Sequence, residues 1–230
     1  MVGLNHFGES WRYGRENIDP ATTMKLWQRA EDTTFVLDHF SKNNPFQHHL
    51  NWHNVVVVGH SSGGQTAASL AGVTLDMANM TNYCQLSKSN GDMGCTYANG
   101  KQAEKIGKIA SYKQSYRDNR VKAVIMLDPA VGPAATKESL QSINIPALII
   151  GAQNNEFVPF KYHAGYYAEY MPNAELMTLN NDEGHFIFLD SCSHKHKAKG
   201  VSLCEDREGV DRKQVHSMMS QKILAFLSQL

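Results

Sequence analysis

Residues 55–64 read Val-Val-Val-Val-Gly-His-Ser-Ser-Gly-Gly, and they constrain the fold more than any other part of the chain. Four consecutive β-branched residues are typical of a strand that is apolar on both faces, as in the middle of a parallel sheet. The run Gly-Gln-Thr-Ala-Ala-Ser-Leu-Ala at 64–71 then predicts a helix. A buried strand, a glycine turn and a helix in succession indicate an α/β sheet.

Residues 59–63 also fit the pattern Gly-x-Ser-x-Gly, with Ser61 at its centre. Between a strand and a helix, this pattern predicts a nucleophile elbow, a strained turn that lifts the serine hydroxyl above the sheet edge. Small residues at 59 and 63 would let the backbone pass, and the N–H of Ser62 would point toward a developing oxyanion. The alternative is a glycine-rich turn without chemistry, because short glycine patterns also occur by chance.

The remaining sequence continues the alternation of strands and helices. We expect a strand stub at 2–4, strands at 121–127, 145–151 and 174–179, and helices at about 20–41, 64–72, 136–142, 162–170 and 210–230. This order predicts a mostly parallel sheet flanked by helices with right-handed crossovers. A chain of 230 residues suits a single domain over 1–230.

Residues 73–119 interrupt the alternation with a stretch rich in Asn, Ser, Gly, Lys and Tyr. Connections from a helix to the next strand usually take only 2–6 residues. We therefore expect a cap-like insertion at about 73–119, lying over the C-terminal edge of the sheet where loops shape substrate access. A disordered surface insertion is an equally good interpretation of this composition.

Four cysteines fall into two close pairs, Cys84 with Cys95 and Cys192 with Cys204. Pairs in short polar loops favour two local disulfides and an oxidising compartment, so an exported or periplasmic protein is expected; free cytosolic thiols are the competing interpretation. The first residues, Met-Val-Gly-Leu-Asn-His, have neither the basic nor the apolar run of a signal peptide, so we expect none within this sequence. Cys192-Ser193-His194-Lys195-His196 resembles a metal-binding run, but no complementary cluster accompanies it, so no metal is expected.

Composition narrows the possible partners. Twenty-two basic residues balance twenty-two acidic ones, which gives no overall field favouring nucleic acid or an anionic membrane. No apolar run approaches the ~20 residues of a membrane span. We expect a small-molecule substrate and no cofactor.

A serine nucleophile needs a base and an acid. Where the serine lies on a nucleophile elbow, the chain order is serine, then the acid, then histidine. His185, after the last strand within Asp-Glu-Gly-His-Phe, is the expected base. Asp128, directly after strand 121–127, is favoured as the acid over Glu156. Asn155 stands where many such enzymes carry an aspartate, and an amide cannot carry charge.

Together these segments resemble the α/β-hydrolase superfamily. More narrowly, Gly-His-Ser-Ser-Gly-Gly, Leu127-Asp128-Pro129-Ala130 and Gly184-His185-Phe186 are similar to the group of predicted dienelactone hydrolases, near platelet-activating-factor acetylhydrolases, chlorophyllases and polyester hydrolases. The resemblance implies a serine esterase, whereas true dienelactone hydrolases use cysteine. Family members carry a His-Gly-x-Gly loop that supplies a second oxyanion donor, and none precedes Gly59 here. We therefore expect that the N-terminal strands of the sheet are missing from this chain.

The resulting hypothesis is a hydrolase of carboxylic esters with Ser61, Asp128 and His185 as its triad and Ser62 as an oxyanion donor. The alternative is a catalytically weak or inactive α/β-hydrolase fold that serves in binding or assembly, as Asn155 and the missing donor loop suggest. Missing strands would also expose a sheet edge, through which copies could associate. The sequence does not identify the acyl or alcohol group.

Overall fold

A computed structural model describes residues 1–19, 21–42, 49–52, 54–86, 91–97, 108–192 and 196–230. Four strands form one parallel sheet in the order β1-β2-β3-β4: β1 (Val55–His60), β2 (Val121–Leu127), β3 (Ala147–Ala152) and β4 (Ala174–Leu179). A separate two-stranded antiparallel sheet is formed by β5 (Lys197–Ala198) and β6 (Val201–Ser202). The α-helices are α1 (Leu26–Phe40), α2 (Ser62–Ala71), α3 (Met77–Leu86), α4 (Lys137–Gln141), α5 (Ala164–Tyr170) and α6 (Arg212–Leu227).

The core lies on both faces of the sheet, because alternate residues of the buried strands point to opposite sides. On one face, Val124 and Ile149 pack in a cluster that includes Leu70 of α2. On the other face, Ile125 and Leu148 belong to a cluster completed by α6, which contributes Val215, Met219 and Phe226. Helices on both faces explain why β2 and β3 have apolar runs rather than alternating ones.

β1 lies at one edge of the sheet, and within the described ranges no strand pairs with its outer side. Val58 on this strand is 53% exposed, which is high for valine in a parallel sheet. Self-association through this edge stays a prediction.

Several predicted boundaries differ from the structure. The strand stub at 2–4 is wrong, because these residues form no regular element and have no strand partner. The first long helix begins at Leu26 rather than near 20, since Lys25 has a non-helical backbone; Pro20 lies outside the described residues. The helix after β1 begins at Ser62, two residues earlier than expected.

Both predicted disulfides are present, Cys84–Cys95 and Cys192–Cys204, with Cα atoms 5.4 and 5.2 Å apart. The described part of 73–119 contains α3 and two short 3₁₀ turns, at Met93–Thr96 and Ala110–Lys113. In the described part of the chain, no helix is both long and apolar enough to cross a membrane, and no cluster of side chains suits a metal ion. The middle of the run Cys192–His196, which resembles a metal-binding run in the sequence, lies outside the described residues, and this includes His194.

Candidate active site

Ser61 lies in a strained turn between β1 and α2, at the C-terminal edge of the sheet. Its backbone has φ 55° and ψ −119°, a conformation that L residues rarely adopt. A Cβ at residue 59 would lie 2.1 Å from the carbonyl oxygen of Gly63, so only glycine fits there. The steric requirement predicted for residue 63 is absent, because a Cβ there would meet no described atom within 4 Å.

This serine turn joins a parallel strand to a helix on a sheet that has helices on both faces. The chain has an α/β-hydrolase fold.

The structure brings Ser61, His185 and Asp128 together through two hydrogen bonds. His185 Nε2 lies 2.9 Å from Ser61 Oγ, and His185 Nδ1 lies 2.8 Å from Asp128 Oδ2. The carboxylate of Asp128 also accepts from the Ala152 N–H and the Asn155 amide, contacts that favour its ionised form. In that form it only accepts hydrogen bonds, so Nδ1 carries the proton toward Asp128 and Nε2 is free to accept from the serine hydroxyl. His185 is fully buried, and Asp128 is 1% exposed.

Asp128 reaches this position because it directly follows β2 and is held against β3. Its backbone N–H donates to the carbonyl oxygen of Ile150 at 2.7 Å, and its Oδ1 accepts from the N–H of Ala152 at 3.2 Å. Its φ of 45° is unusual for a non-glycine residue. The neighbouring strand β3 therefore holds both the backbone and the carboxylate of Asp128.

Glu156, the alternative acid, contacts the backbone of His185 and not its ring. Its Oε2 accepts from the backbone N–H of His185 at 3.3 Å and pairs with Arg207 Nη2 at 2.6 Å. Both ring nitrogens of His185 face other residues. Glu156 therefore stabilises the backbone of the loop that carries His185.

Asn155 is part of the site, although the sequence suggested only a lost carboxylate. Its Oδ1 accepts from the backbone N–H groups of Phe157 and Val158, at 2.7 and 2.9 Å. This orients the amide, so that Nδ2 donates to Asp128 Oδ2; the same nitrogen lies 3.2 Å from His185 Nδ1. The available signal was that Asp128 and Asn155 follow β2 and β3, which are neighbours in the sheet.

His60, the variable residue of the Gly-x-Ser-x-Gly pattern, also supports the site. Its Nε2 donates to the carbonyl oxygen of His185 at 2.8 Å, and the two rings lie 4.6 Å apart. Phe157 stacks on the His185 ring, with centroids 5.1 Å apart and an angle of 5° between the planes. The imidazole of His185 is therefore in contact with the rings of His60, Phe157 and Phe186.

Burial sets the charge states of these groups. Desolvation lowers the pKa of His185 to about 3, although the charge of Glu156 acts in the opposite direction. Desolvation also lowers the pKa of His60 to about 3. Burial raises the pKa of Asp128 well above its usual range, and the Ala152 N–H offsets part of this effect. These shifts disfavour a resting imidazolium, so His185 is available as a base.

A cavity of about 130 Å³ opens beside Ser61 and Ser62. Ser62 is the first residue of α2, where backbone N–H groups have no intrahelical partner. The cavity walls come from several separate parts of the chain and include Met24, Leu26, Met77, Met80, Val131 and Val158. An apolar space beside the serine hydroxyl is suited to holding part of an organic substrate.

Comparisons with known proteins do not assign the chain to a family. No protein-family model and no curated protein matches the chain. Among solved structures, it is similar to a predicted CIB-like hydrolase from Thermoplasma acidophilum, with 16% sequence identity and a TM-score of 0.39 over 71% of this chain and 52% of that one. The chain thus spans about half the length of that hydrolase. The narrower resemblance to dienelactone-type enzymes stays a prediction.

Proposed function

We propose that the protein is a serine hydrolase of carboxylic esters that acts through an acyl-enzyme. The observation that supports this most directly is the hydrogen-bonded series Ser61–His185–Asp128 at a strained turn. A serine hydroxyl is a weak nucleophile until a base removes its proton, and this series supplies a neutral base with its tautomer set.

The geometry supports the following sequence of steps. Ser61 Oγ attacks the ester carbonyl carbon while His185 Nε2 takes the hydroxyl proton. Asp128 stabilises the imidazolium that forms, and the N–H of Ser62 donates to the oxyanion. The carbonyl re-forms as the alcohol leaves with the proton from His185, which gives an ester of Ser61. Water, activated by His185, then releases the acid and restores the free serine.

Covalent labelling tests the nucleophile directly. The folded protein is incubated with a fluorophosphonate, and its intact mass is compared with that of a Ser61→Ala variant. We expect one adduct on the parent protein, none on the variant, and turnover of p-nitrophenyl butanoate only by the parent. An unlabelled parent protein with an intact fold would instead favour a binding or assembly role for the chain.

A further inference from the structure

The cavity beside Ser61 has walls from separate parts of the chain, so its shape depends on how those parts pack against one another. Met24 and Leu26 come from the segment that leads into α1. Met77 and Met80 come from α3 in the insertion, and Phe157 comes from the loop after β3. A group bonded to Ser61 could therefore enter a pocket of which one wall belongs to the insertion.

The chemistry of this wall favours an uncharged group. None of the described residues that line the cavity has a charged side chain. Met77 and Met80 are 3% and 4% exposed, so they present thioethers and methylenes to the interior of the site. A carboxylate or ammonium moved into such a space would lose its hydration without gaining a partner, which is costly.

The volume of the cavity limits the length of the group. A cavity of about 150 Å³ lined by apolar residues holds benzene. The cavity here is about 130 Å³, so a group of roughly five or six carbon atoms would fill it.

The insertion wall, which is the part of the insertion that carries Met77 and Met80, is anchored to the rest of the structure. It can therefore limit the length of a group bound in the cavity. The disulfide Cys84–Cys95 joins the end of α3 to the turn that follows. Asp92 in this segment accepts a hydrogen bond from His163 Nε2 at 2.8 Å, and both side chains are 1% exposed. The N–H of Met93 donates to the carbonyl oxygen of Phe157 at 2.8 Å. The disulfide therefore closes the insertion on itself, the hydrogen bond of His163 ties it to the start of α5, and that of Met93 ties it to the loop that also positions Asn155.

We propose that this cavity is an acyl pocket for short, uncharged, apolar acyl groups, and that Met77 and Met80 set its length limit. The proposal rests on the proposed ester hydrolysis. It assigns the acyl class of the substrate, which the sequence leaves open.

A chain-length series tests this assignment. The kcat/KM values are measured for p-nitrophenyl acetate, butanoate, hexanoate, octanoate and decanoate, and for the p-nitrophenyl monoester of adipic acid. We expect a maximum at butanoate or hexanoate, a fall of at least about tenfold by decanoate, and a similar disadvantage for the charged adipate ester relative to hexanoate.

Two variants test whether Met77 and Met80 set the length limit for acyl groups. Met80→Ala and, independently, Met77→Ala should move the maximum to longer esters, because each removes side-chain atoms from the wall of the pocket and enlarges it. Met218→Ala is the matched control, since Met218 is 43% exposed on α6 and should leave the profile unchanged. Fluorophosphonate labelling of Ser61 in each variant shows that the site is folded.

The outcomes separate this proposal from the proposed function. Ser61 labelling together with a flat chain-length profile, a preference for the adipate ester, or unchanged profiles in both labelled methionine variants would overturn the acyl pocket and leave ester hydrolysis standing. Absence of labelling and of turnover in the parent protein would overturn both.

Discussion

The side-chain amide of Asn155 donates a hydrogen bond to the carboxylate of Asp128, and the same nitrogen lies 3.2 Å from His185 Nδ1. The carboxylate and the amide therefore lie beside the same ring nitrogen, each at the end of a neighbouring strand. The chain carries the proposed acid, Asp128, after β2 and the amide of Asn155 after β3, and the amide donates a hydrogen bond to the carboxylate. This arrangement leads us to expect that the two positions can exchange roles.

Exchanging the two side chains tests that expectation. Asp128→Asn alone should lower kcat for p-nitrophenyl butanoate by about 10³–10⁴-fold, because only a carboxylate stabilises the imidazolium. In Asp128→Asn/Asn155→Asp, one oxygen of the carboxylate introduced at position 155 can keep the N–H groups of Phe157 and Val158 while the other accepts from His185. We expect the double variant to regain at least about tenfold of the lost kcat. A double variant as slow as Asp128→Asn would contradict the exchange.

Glu156→Gln tests whether Glu156 only supports the backbone of His185 or acts as the acid of the triad. Glutamine retains an oxygen that can accept the N–H of His185, while the pairing with the half-exposed Arg207 loses its charge. Exposed ion pairs contribute about 0–1 kcal/mol, so kcat/KM should change by less than about fivefold. The measurement is a steady-state comparison with Asp128→Asn at one pH. A loss in Glu156→Gln that equals or exceeds that of Asp128→Asn would show that the acid is wrongly assigned.

Activity should persist into acidic solution. A histidine whose pKa is lowered by burial stays neutral as the pH falls below the usual 6.5, and it loses its function as a base only when it becomes protonated. The acid limb of kcat/KM, which reports the free enzyme, should therefore lie well below pH 6.5. The profile is measured with p-nitrophenyl butanoate in buffers of constant ionic strength, with circular dichroism as a control for unfolding. Burial also raises the pKa of Asp128, so the residual activity of Asp128→Asn is profiled in parallel to remove that titration. A midpoint at or above about 6.5 in both proteins would contradict the desolvation of His185.

The sequence predicts those features that depend on local pattern and chain order. The strands at 121–127 and 174–179 begin and end at the predicted residues. The strand predicted at 2–4 is wrong, since a strand needs a hydrogen-bonding partner that a sequence run does not reveal. The contact of Asn155 with Asp128 escaped prediction for a related reason: the amide is oriented by backbone N–H groups of its own loop.

Removing the disulfide of the insertion should affect both stability and substrate selection. Cys84 and Cys95 are 11 residues apart, and closing a loop of this size contributes about 3 kcal/mol in the chain-entropy model. Cys84→Ser/Cys95→Ser should therefore lower the free energy of unfolding by about 2–3 kcal/mol in urea titrations. The variant should also accept octanoate esters better relative to butanoate, because the wall formed by Met77 and Met80 loses one of its anchors. Cys192→Ser/Cys204→Ser is the matched control: its 12-residue separation predicts a similar loss of stability, but this disulfide lies outside the insertion whose Met77 and Met80 line the cavity. An equal shift in chain-length preference in both variants would show that general loosening, rather than the insertion wall, determines which acyl groups enter.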